Sequence, residues 1–427
     1  MDQEVGPLGL DRKSDSFAFA LKKERSGGGV GFGTELGVNL LALILAVVSL
    51  LIWVVLTFLR GAFWQLLAFD DDISKQKSPA QWPRVVTIVP ARDEAETIAR
   101  TVESLVKQDY AGELRVVVVD DHSEDRTGAL AREAAERAGV SERVLILRGA
   151  ALESGWTGKL MAMQQGVESG AAREAEYFWF TDADIQHAPD TLRRLVQRAE
   201  KAKLDLVSLM ALSQVNSLPE RLLIPPFLYF FLKLYPPSWT ASRKRKTAGA
   251  AGGCILLKRT ALERIGGLAA IRGEVIDDCT LARAVKRTGG GIWMGLTRKS
   301  VSLRTYASFT EIQDLIARTA FTQLGYSGLL LAATLLGMVV TYLLPVIFTV
   351  SAQPVVWRLG LAAWALMAIT YLPTVRFYRM SALWAAALPV AAAFYTYATL
   401  LSAVRYWLGR GGQWKGRAQA PAKSSAQ

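Results

Sequence analysis

Short apolar runs, polar turns and helical stretches succeed one another from residue 84 onward. Arg84-Val85-Val86-Thr87-Ile88-Val89-Pro90 reads as a buried strand that runs into Ala91-Arg92-Asp93-Glu94, and a helical stretch follows toward Lys107. Leu114-Arg115-Val116-Val117-Val118-Val119 repeats the step, ends in Asp120-Asp121-His122-Ser123-Glu124-Asp125 and leads into a helical pattern from Arg126 to Ala138. A third run, Val144-Leu145-Ile146-Leu147, precedes Gly155-Trp156-Thr157-Gly158-Lys159, which opens a helix through Gly166. The fourth, Phe178-Trp179-Phe180, stops at Thr181-Asp182-Ala183-Asp184. Strand, polar turn and helix in succession begin a doubly wound α/β sheet. Ligands of such sheets bind outside the carboxyl ends of the strands, so Arg92/Glu94, Asp120/Asp121 and Asp182/Asp184 are expected to converge on one crevice.

Longer apolar runs flank this region. Leu40 to Leu59 is uncharged and meets the roughly 20 residues needed to span a bilayer. It begins too late, and is too long, for the roughly 7–15-residue core of a cleavable signal peptide. Three more blocks follow Tyr326: Leu329–Val350, Val356–Leu372 with Arg358 near its start, and Ala382–Val404. The expected organisation is an N-terminal tail over 1–36 with no periodic pattern, open to disorder, and a transmembrane helix over 37–60. An α/β domain over 70–320, a membrane region of about three helices over 325–408 and a basic tail over 409–427 follow. Four crossings with the α/β portion in the cytoplasm would leave Arg405, Arg410, Lys415 and Arg417 on the far side, against the positive-inside rule. Either one C-terminal segment is re-entrant or interfacial, or the rule fails here.

Composition agrees with a membrane protein: 51% of the 427 residues are hydrophobic, high for a wholly soluble chain. The formal charge of +12 points to anionic headgroups, because the α/β portion has no zinc spacing, RNA-binding signature or basic helix that would suggest nucleic acid. Arg243-Lys244-Arg245-Lys246, the densest basic cluster, reads equally well as a solvated loop. Cys254 and Cys279 show neither metal spacing nor a disulfide framework.

Asp182 and Asp184 carry the clearest chemistry. Residues two apart on a strand share a face, so both acids could reach one Mg²⁺ or Mn²⁺, hard ions that take oxygen ligands and leave positions open for phosphate. The alternative is two solvated acids in a turn.

The motifs Val-Pro-Ala-Arg-Asp-Glu at 89–94, Val-Asp-Asp-His-Ser at 119–123, Gly-Lys at 158–159, Asp-Ala-Asp-Ile-Gln-His at 182–187 and Ile-Asp-Asp at 276–278 resemble, in order and spacing, those of the family 2 glycosyltransferases with the GT-A fold. The similarity runs roughly from Val85 to Gln323. With the span arrangement and Gly249-Ala250-Ala251-Gly252-Gly253-Cys254, it looks most like the ceramide-glucosyltransferase-like membrane group and the bacterial hopanoid-biosynthesis-associated enzymes within it.

This resemblance implies a nucleotide-diphospho-sugar donor, with UDP preferred, and a divalent metal. Ala91, Arg92, Glu94 and Asp121 would border the base and ribose, with Asp120 beside them. Lys159, at a helix start suited to phosphate, would contact the diphosphate; the plainer reading is a surface lysine. Asp184 would ligate the metal, Asp182 the ribose or metal, and Gln186 could complete the metal shell, while His187 packs or caps. Asp278 occupies the place of the family's base, where N-terminal capping is the alternative, and Asp277 stands where relatives often have Glu. Arg318 would neutralise the leaving diphosphate, although the glutamine and tryptophan that usually flank it are missing.

On the acceptor side, Leu218 to Tyr235 is rich in aromatics and interrupted by Pro225 and Pro226. Either it lies in the interface, with Phe227 and Tyr229 toward a lipid acceptor and Lys233 toward headgroups, or it packs against the domain or the membrane helices. Gly252 and Gly253 could let acceptor or sugar approach closely, or shape a turn. The expected activity is inverting transfer of one sugar to a lipid, hopanoid-related, at the bacterial inner membrane. A polyprenyl-phosphate glycosyltransferase and a non-catalytic membrane scaffold are the rival readings.

Overall fold

The structure, a computed structural model, describes residues 29–70, 79, 81–410, 413–414 and 417–418. Most of the expected N-terminal and C-terminal tails lies outside them. At the centre is an eight-stranded sheet in the order β3-β2-β1-β4-β7-β6-β8-β5. Its first half follows the sequence pattern: β1 (Val85–Ala91), β2 (Leu114–Asp120), β3 (Val144–Arg148) and β4 (Tyr177–Phe180) are parallel neighbours. The helices α2 (Ile98–Val106), α3 (Thr127–Arg137) and α4 (Gly158–Glu168) make the crossovers.

The sheet is mainly parallel, as expected, and its antiparallel pairings all lie in the second half. β5 (Ile185–His187) runs antiparallel to β8 (Ile292–Ser302), and β7 (Ile255–Lys258) is antiparallel to both β4 and β6 (Leu206–Leu212), while β6 and β8 are parallel. Helices still separate β5 from β6, β6 from β7 and β7 from β8, and only β4 and β5 follow each other without one.

Alternation along β1 sorts its side chains to two cores. Val85, Val89 and Ala91 face α2, α3 and α5 (Thr191–Ala202), while Val86 and Ile88 face α4 and α7 (Asp277–Arg287). A third core joins the sheet domain to apolar helices: Met294 and Leu296 of β8 pack with α6 (Leu218–Leu234) and with Trp53, Tyr342, Tyr371 and Tyr395.

Four helical segments are long and apolar enough to cross a membrane. The first, Gly37–Phe58, belongs to α1 (Gly29–Phe58). After α8 (Phe309–Gln323) comes Gly328–Phe348, in which α9 (Gly328–Met338) and α10 (Leu344–Phe348) are joined by one wider turn. The third is α11 (Pro354–Phe377), and the fourth, Ala382–Trp407, is a tight turn leading into α12 (Leu388–Trp407).

The stretch from Leu218 forms one helix despite Pro225 and Pro226, started by a capping box between Ser217 and Glu220. It packs against α11 and α12 rather than lying free in an interface. Tyr229 is fully buried with its hydroxyl 2.8 Å from Thr370 Oγ1, and Tyr395 donates to the Leu223 carbonyl at 2.8 Å. That enclosure corrects the expectation that Tyr229 faces an acceptor; Phe227 on the same helix stays exposed. Lys233 also turns inward, donating to the Tyr342 hydroxyl at 2.7 Å instead of reaching headgroups. Both cysteines are free and buried.

Candidate functional site

The carboxyl ends of β1, β2 and β4 open on one edge of the sheet. Ala91 is buried there, and its carbonyl accepts from the Asp121 N–H at 2.8 Å, locking the first two strand ends together. Arg92 reinforces this junction by donating to the carbonyls of Asp121 (2.6 Å) and His122 (3.3 Å). Asp120 accepts from the Ser123 N–H at 3.0 Å, and its other oxygen sits where a Cβ on Gly128 would lie. It shapes the turn into α3. Glu94 stands beside the same turn, its backbone N–H donating to Thr127 Oγ1 at 2.8 Å.

Asp182 and Asp184 are not on a strand: β4 ends at Phe180, and both acids occupy the turn before β5. The same-face argument from strand geometry therefore does not apply, and the turn itself sends the two carboxylates to different partners. Asp182 pairs with Lys159 Nζ at 2.9 Å. Asp184 is half-buried and its carbonyl accepts from the Leu303 N–H at 2.7 Å, which draws the chain after β8 alongside it. Burial, with Asp182 and Glu94 adding repulsion, pushes the Asp184 carboxyl up to about 6. Crowded, partly desolvated carboxylates of this kind suit a divalent cation, which would relieve their repulsion. Gln186 is exposed on β5, and among the described residues no group of three His, Cys, Asp or Glu side chains forms a ready cage.

His187 is buried between Thr181 Oγ1 and Ser300 Oγ, each 2.8 Å from a ring nitrogen. Burial lowers its pKa to about 3. It holds the turn that carries the two acids.

Across the crevice, the first turn of α7 supplies Asp277 and Asp278. Asp278 accepts from the N–H groups of Gly252 (2.9 Å) and Cys279 (2.6 Å). Burial and the neighbouring Asp277 raise its carboxyl to about 6, against the pull of Lys159 and of those two N–H donors. Lys159, the second residue of α4, reaches Asp277 at 3.2 Å as well as Asp182. Burial alone would lower the Lys159 pKa, but Asp182, Asp277 and Asp278 carry it well above its usual value. A surface lysine it is not.

Gly252 sits at the meeting point: a Cβ there would lie 3.1 Å from Lys159 Nζ, 3.5 Å from Asp278 Oδ2 and 3.8 Å from Asp182 Oδ2. Gly253 faces elsewhere, with Ile185 3.3 Å from its would-be Cβ and its carbonyl accepting from Thr181 Oγ1 at 2.9 Å.

One residue of the site has no mark in the sequence. Arg304 follows β8, and although burial works against its charge, Tyr306, Asp184, Glu94 and Asp182 hold its pKa above the usual value. It also lines a cavity of about 440 Å³ with Tyr306, Asp314, Arg318, Arg405 and Arg410. Arg318 thus lies in a basic chamber next to the acids rather than alone.

Known proteins resemble this chain chiefly over the same region. Residues 86–266 match the model of the family described as Glycosyl transferase family 2. The chain is 32% identical over 93 residues to the probable glycosyltransferase YdaM of Bacillus subtilis, covering 20% of this chain and 22% of that protein. It is also 32% identical over 123 residues to the beta-monoglucosyldiacylglycerol synthase of Synechocystis, covering 28% and 23% respectively. It therefore spans less than a quarter of the length of these two curated relatives. A solved mannosyltransferase from Pyrobaculum calidifontis, in complex with GDP-Man and Mn²⁺, aligns over 85% of this chain and 99% of its own, with a TM-score of 0.49 and 19% identity. Residues 86–266, which carry the strand ends that open on the crevice, are thus similar to the glycosyl transferase family 2, and candidate membrane-spanning helices flank them in the chain.

Proposed function

We propose that the chain is a membrane-bound, inverting glycosyltransferase that moves one sugar from a nucleotide-diphospho-sugar to a lipid hydroxyl. The observation that carries this reading is the meeting of Lys159, Asp182, Asp277 and Asp278 around Gly252, at the edge of the domain that resembles the glycosyl transferase family 2. Asp278, raised to about 6 and held by two N–H donors, suits a general base that is ionised at neutral pH yet still basic enough to accept a proton.

The acceptor hydroxyl attacks the anomeric carbon from the face opposite the diphosphate while its proton passes to Asp278. The bond from that carbon to the diphosphate oxygen breaks, and its electron pair leaves with the diphosphate. Lys159 and Arg318 balance the charge that develops. Ala91, Arg92, Glu94, Asp120 and Asp121 form the nucleotide side, largely through the backbone junction of β1 and β2. Asp182 and Asp184, with Gln186 at the rim, would hold Mg²⁺ or Mn²⁺, and such an ion supplies further neutralisation of the leaving group.

Support for a lipid acceptor comes from the apolar helices beside the crevice and from the Synechocystis relative, whose name describes a glycosyl-diacylglycerol synthase. The motif resemblance extends the reading to a UDP-linked donor, a hopanoid-related acceptor and a bacterial inner membrane with the domain facing the cytoplasm. Membranes containing the chain, supplied with nucleotide sugars and Mg²⁺ or Mn²⁺, should yield a new hexosylated neutral lipid by mass spectrometry. Absence of any sugar turnover would return the chain to the scaffold reading.

A second reading has its own observation. Arg304, Arg318 and Arg410 line one cavity, and among the described residues they make no ion pair, whereas Arg405 is paired with Asp314. Four guanidinium groups against the two carboxylates of the same cavity, Glu311 and Asp314, leave an excess of positive charge that suits a phosphate ligand, which favours an acceptor lipid that carries phosphate. Its product would be an acid-labile lipid-phosphate sugar, distinguishable in the same spectra.

A further inference from the structure

The fourth apolar segment has the length and composition of a crossing, yet both of its ends rest against the same side of the sheet domain. At the start, Phe377 packs on Phe69 with centroids 5.7 Å apart, and its carbonyl accepts from Arg298 of β8 at 3.3 Å. Just past the end, Arg410 lines the cavity of Arg304 and Tyr306, residues that directly follow β8. Arg405 pairs with Asp314 of α8 at 2.7 Å, and Tyr406 stacks on Tyr326 at 4.4 Å, just before α9 begins.

Between these ends the chain dips and returns. Trp364 donates to the Ala386 carbonyl at 3.2 Å, and Trp364 lies thirteen residues before Phe377, about 20 Å along a helix at 1.5 Å per residue. From that depth α12 climbs back alongside α8 in the same direction. Phe394 meets Phe309, Ser402 donates to the Ala317 carbonyl, and Tyr406 meets Phe321, each pair separated by the same 85 positions. The other three segments behave as crossings. The start of the first apolar segment, Gly37–Phe58, and the loop before α11 meet at the opposite end through Asn39 and Gln353, and Phe348, Val356 and Ala46 pack together close by.

We infer that residues 378–407 form a re-entrant hairpin seated in the leaflet that faces the sheet domain. The chain then crosses the membrane three times, and Arg405 and Arg410 stand at the headgroups of the domain-side leaflet. The outward residues Val390, Tyr397, Leu400, Val404 and Trp407 are its lipid-contacting surface. Direction is what hydropathy cannot read: a segment that dips and returns has the same composition as one that crosses. This placement also resolves the charge conflict of a four-crossing topology, because the basic residues after α12 emerge beside the domain.

Sidedness reporters test the inference without any assay of sugar transfer. In the full chain, a reporter fused after Gln427 should read the same side as one inserted at Leu152 in the sheet domain, and the opposite side from one inserted at Ser351. A C-terminal reporter that sides with Ser351 overturns the hairpin. As a check on packing, an Ala317→Cys/Ser402→Cys chain should cross-link in membranes under mild oxidation. Failure to cross-link while the Leu152 and Ser351 reporters keep their sides would overturn the alignment of α8 with α12.

Discussion

Lys159 Nζ lies 2.9 Å from Asp182, and the same ammonium reaches Asp277 at 3.2 Å, so one cation ties the turn after β4 to the start of α7. That bridge also brings the ammonium close enough to Asp278 to favour its charged form. Lys159→Gln should therefore weaken donor binding and slow transfer together. Because Lys159 pulls the Asp278 pKa down, the acid limb of the pH–rate profile should also move to higher pH. An unchanged profile would leave Lys159 as a purely structural tie.

Asp278→Asn should retain donor binding, measured by nucleotide-sugar titration, and lose about 10²–10⁴-fold in transfer, the usual worth of a general base. For the unsubstituted chain the sign follows from the raised pKa. As the proposed base, Asp278 would be protonated below about 6, so transfer should rise as pH climbs through that value and level off above it. Near-normal turnover in Asp278→Asn would remove the base assignment.

Asp184→Asn addresses the cation. It should abolish the gain in donor affinity that Mn²⁺ or Mg²⁺ provides while donor binding in chelator stays as in the parent chain. If metal still strengthens binding equally in both chains, Asp184 is not a ligand.

His187 predicts an acid weakness in the fold. Its pKa is about 3 in place against 6.5 when free, so the unfolded chain takes up a proton first. Stability is fully present above 6.5 and falls progressively as pH drops toward 3. Asp184 and Asp278 act in the opposite sense, since carboxyls raised from 3.8 to about 6 cost stability above 6 and relieve it as pH falls between those values. Comparing unfolding of the parent with His187→Asn between pH 7 and 4 isolates the histidine. The variant should be less stable at pH 7 and lose less on acidification.

Much of this was legible because β1 to β4 each announce themselves as an apolar run ended by polar residues, and the crossovers fix where those ends meet. Arg92, Glu94, Asp121 and Asp182 stand at those strand ends, whereas Lys159 is marked by its helix start and by the motif resemblance. Arg304 has no such mark, because it depends on β5, only three residues long, pairing antiparallel with β8 and bringing Leu303 against Asp184. Tyr229 was misread for a related reason. An aromatic run broken by two prolines looks interfacial until α11 supplies Thr370 as a partner for its hydroxyl.

Gly252 offers the sharpest separation of site from scaffold. Its would-be Cβ meets the flexible end of Lys159 at 3.1 Å and Asp278 Oδ2 at 3.5 Å. Gly252→Ala can therefore be accommodated by moving the ammonium rather than the backbone, and unfolding should be little affected. The cost falls on the site, because displacing Lys159 loosens its hold on Asp182 and Asp277 and fills space beside the base. Transfer should drop by at least about tenfold, corresponding to roughly 1.4 kcal/mol in the barrier, with Gly252→Val worse. Ala at Gly170, whose Cβ would meet nothing, serves as the control. Equal activity of the Gly252→Ala and Gly170→Ala chains would mean that reacting groups do not pass this glycine.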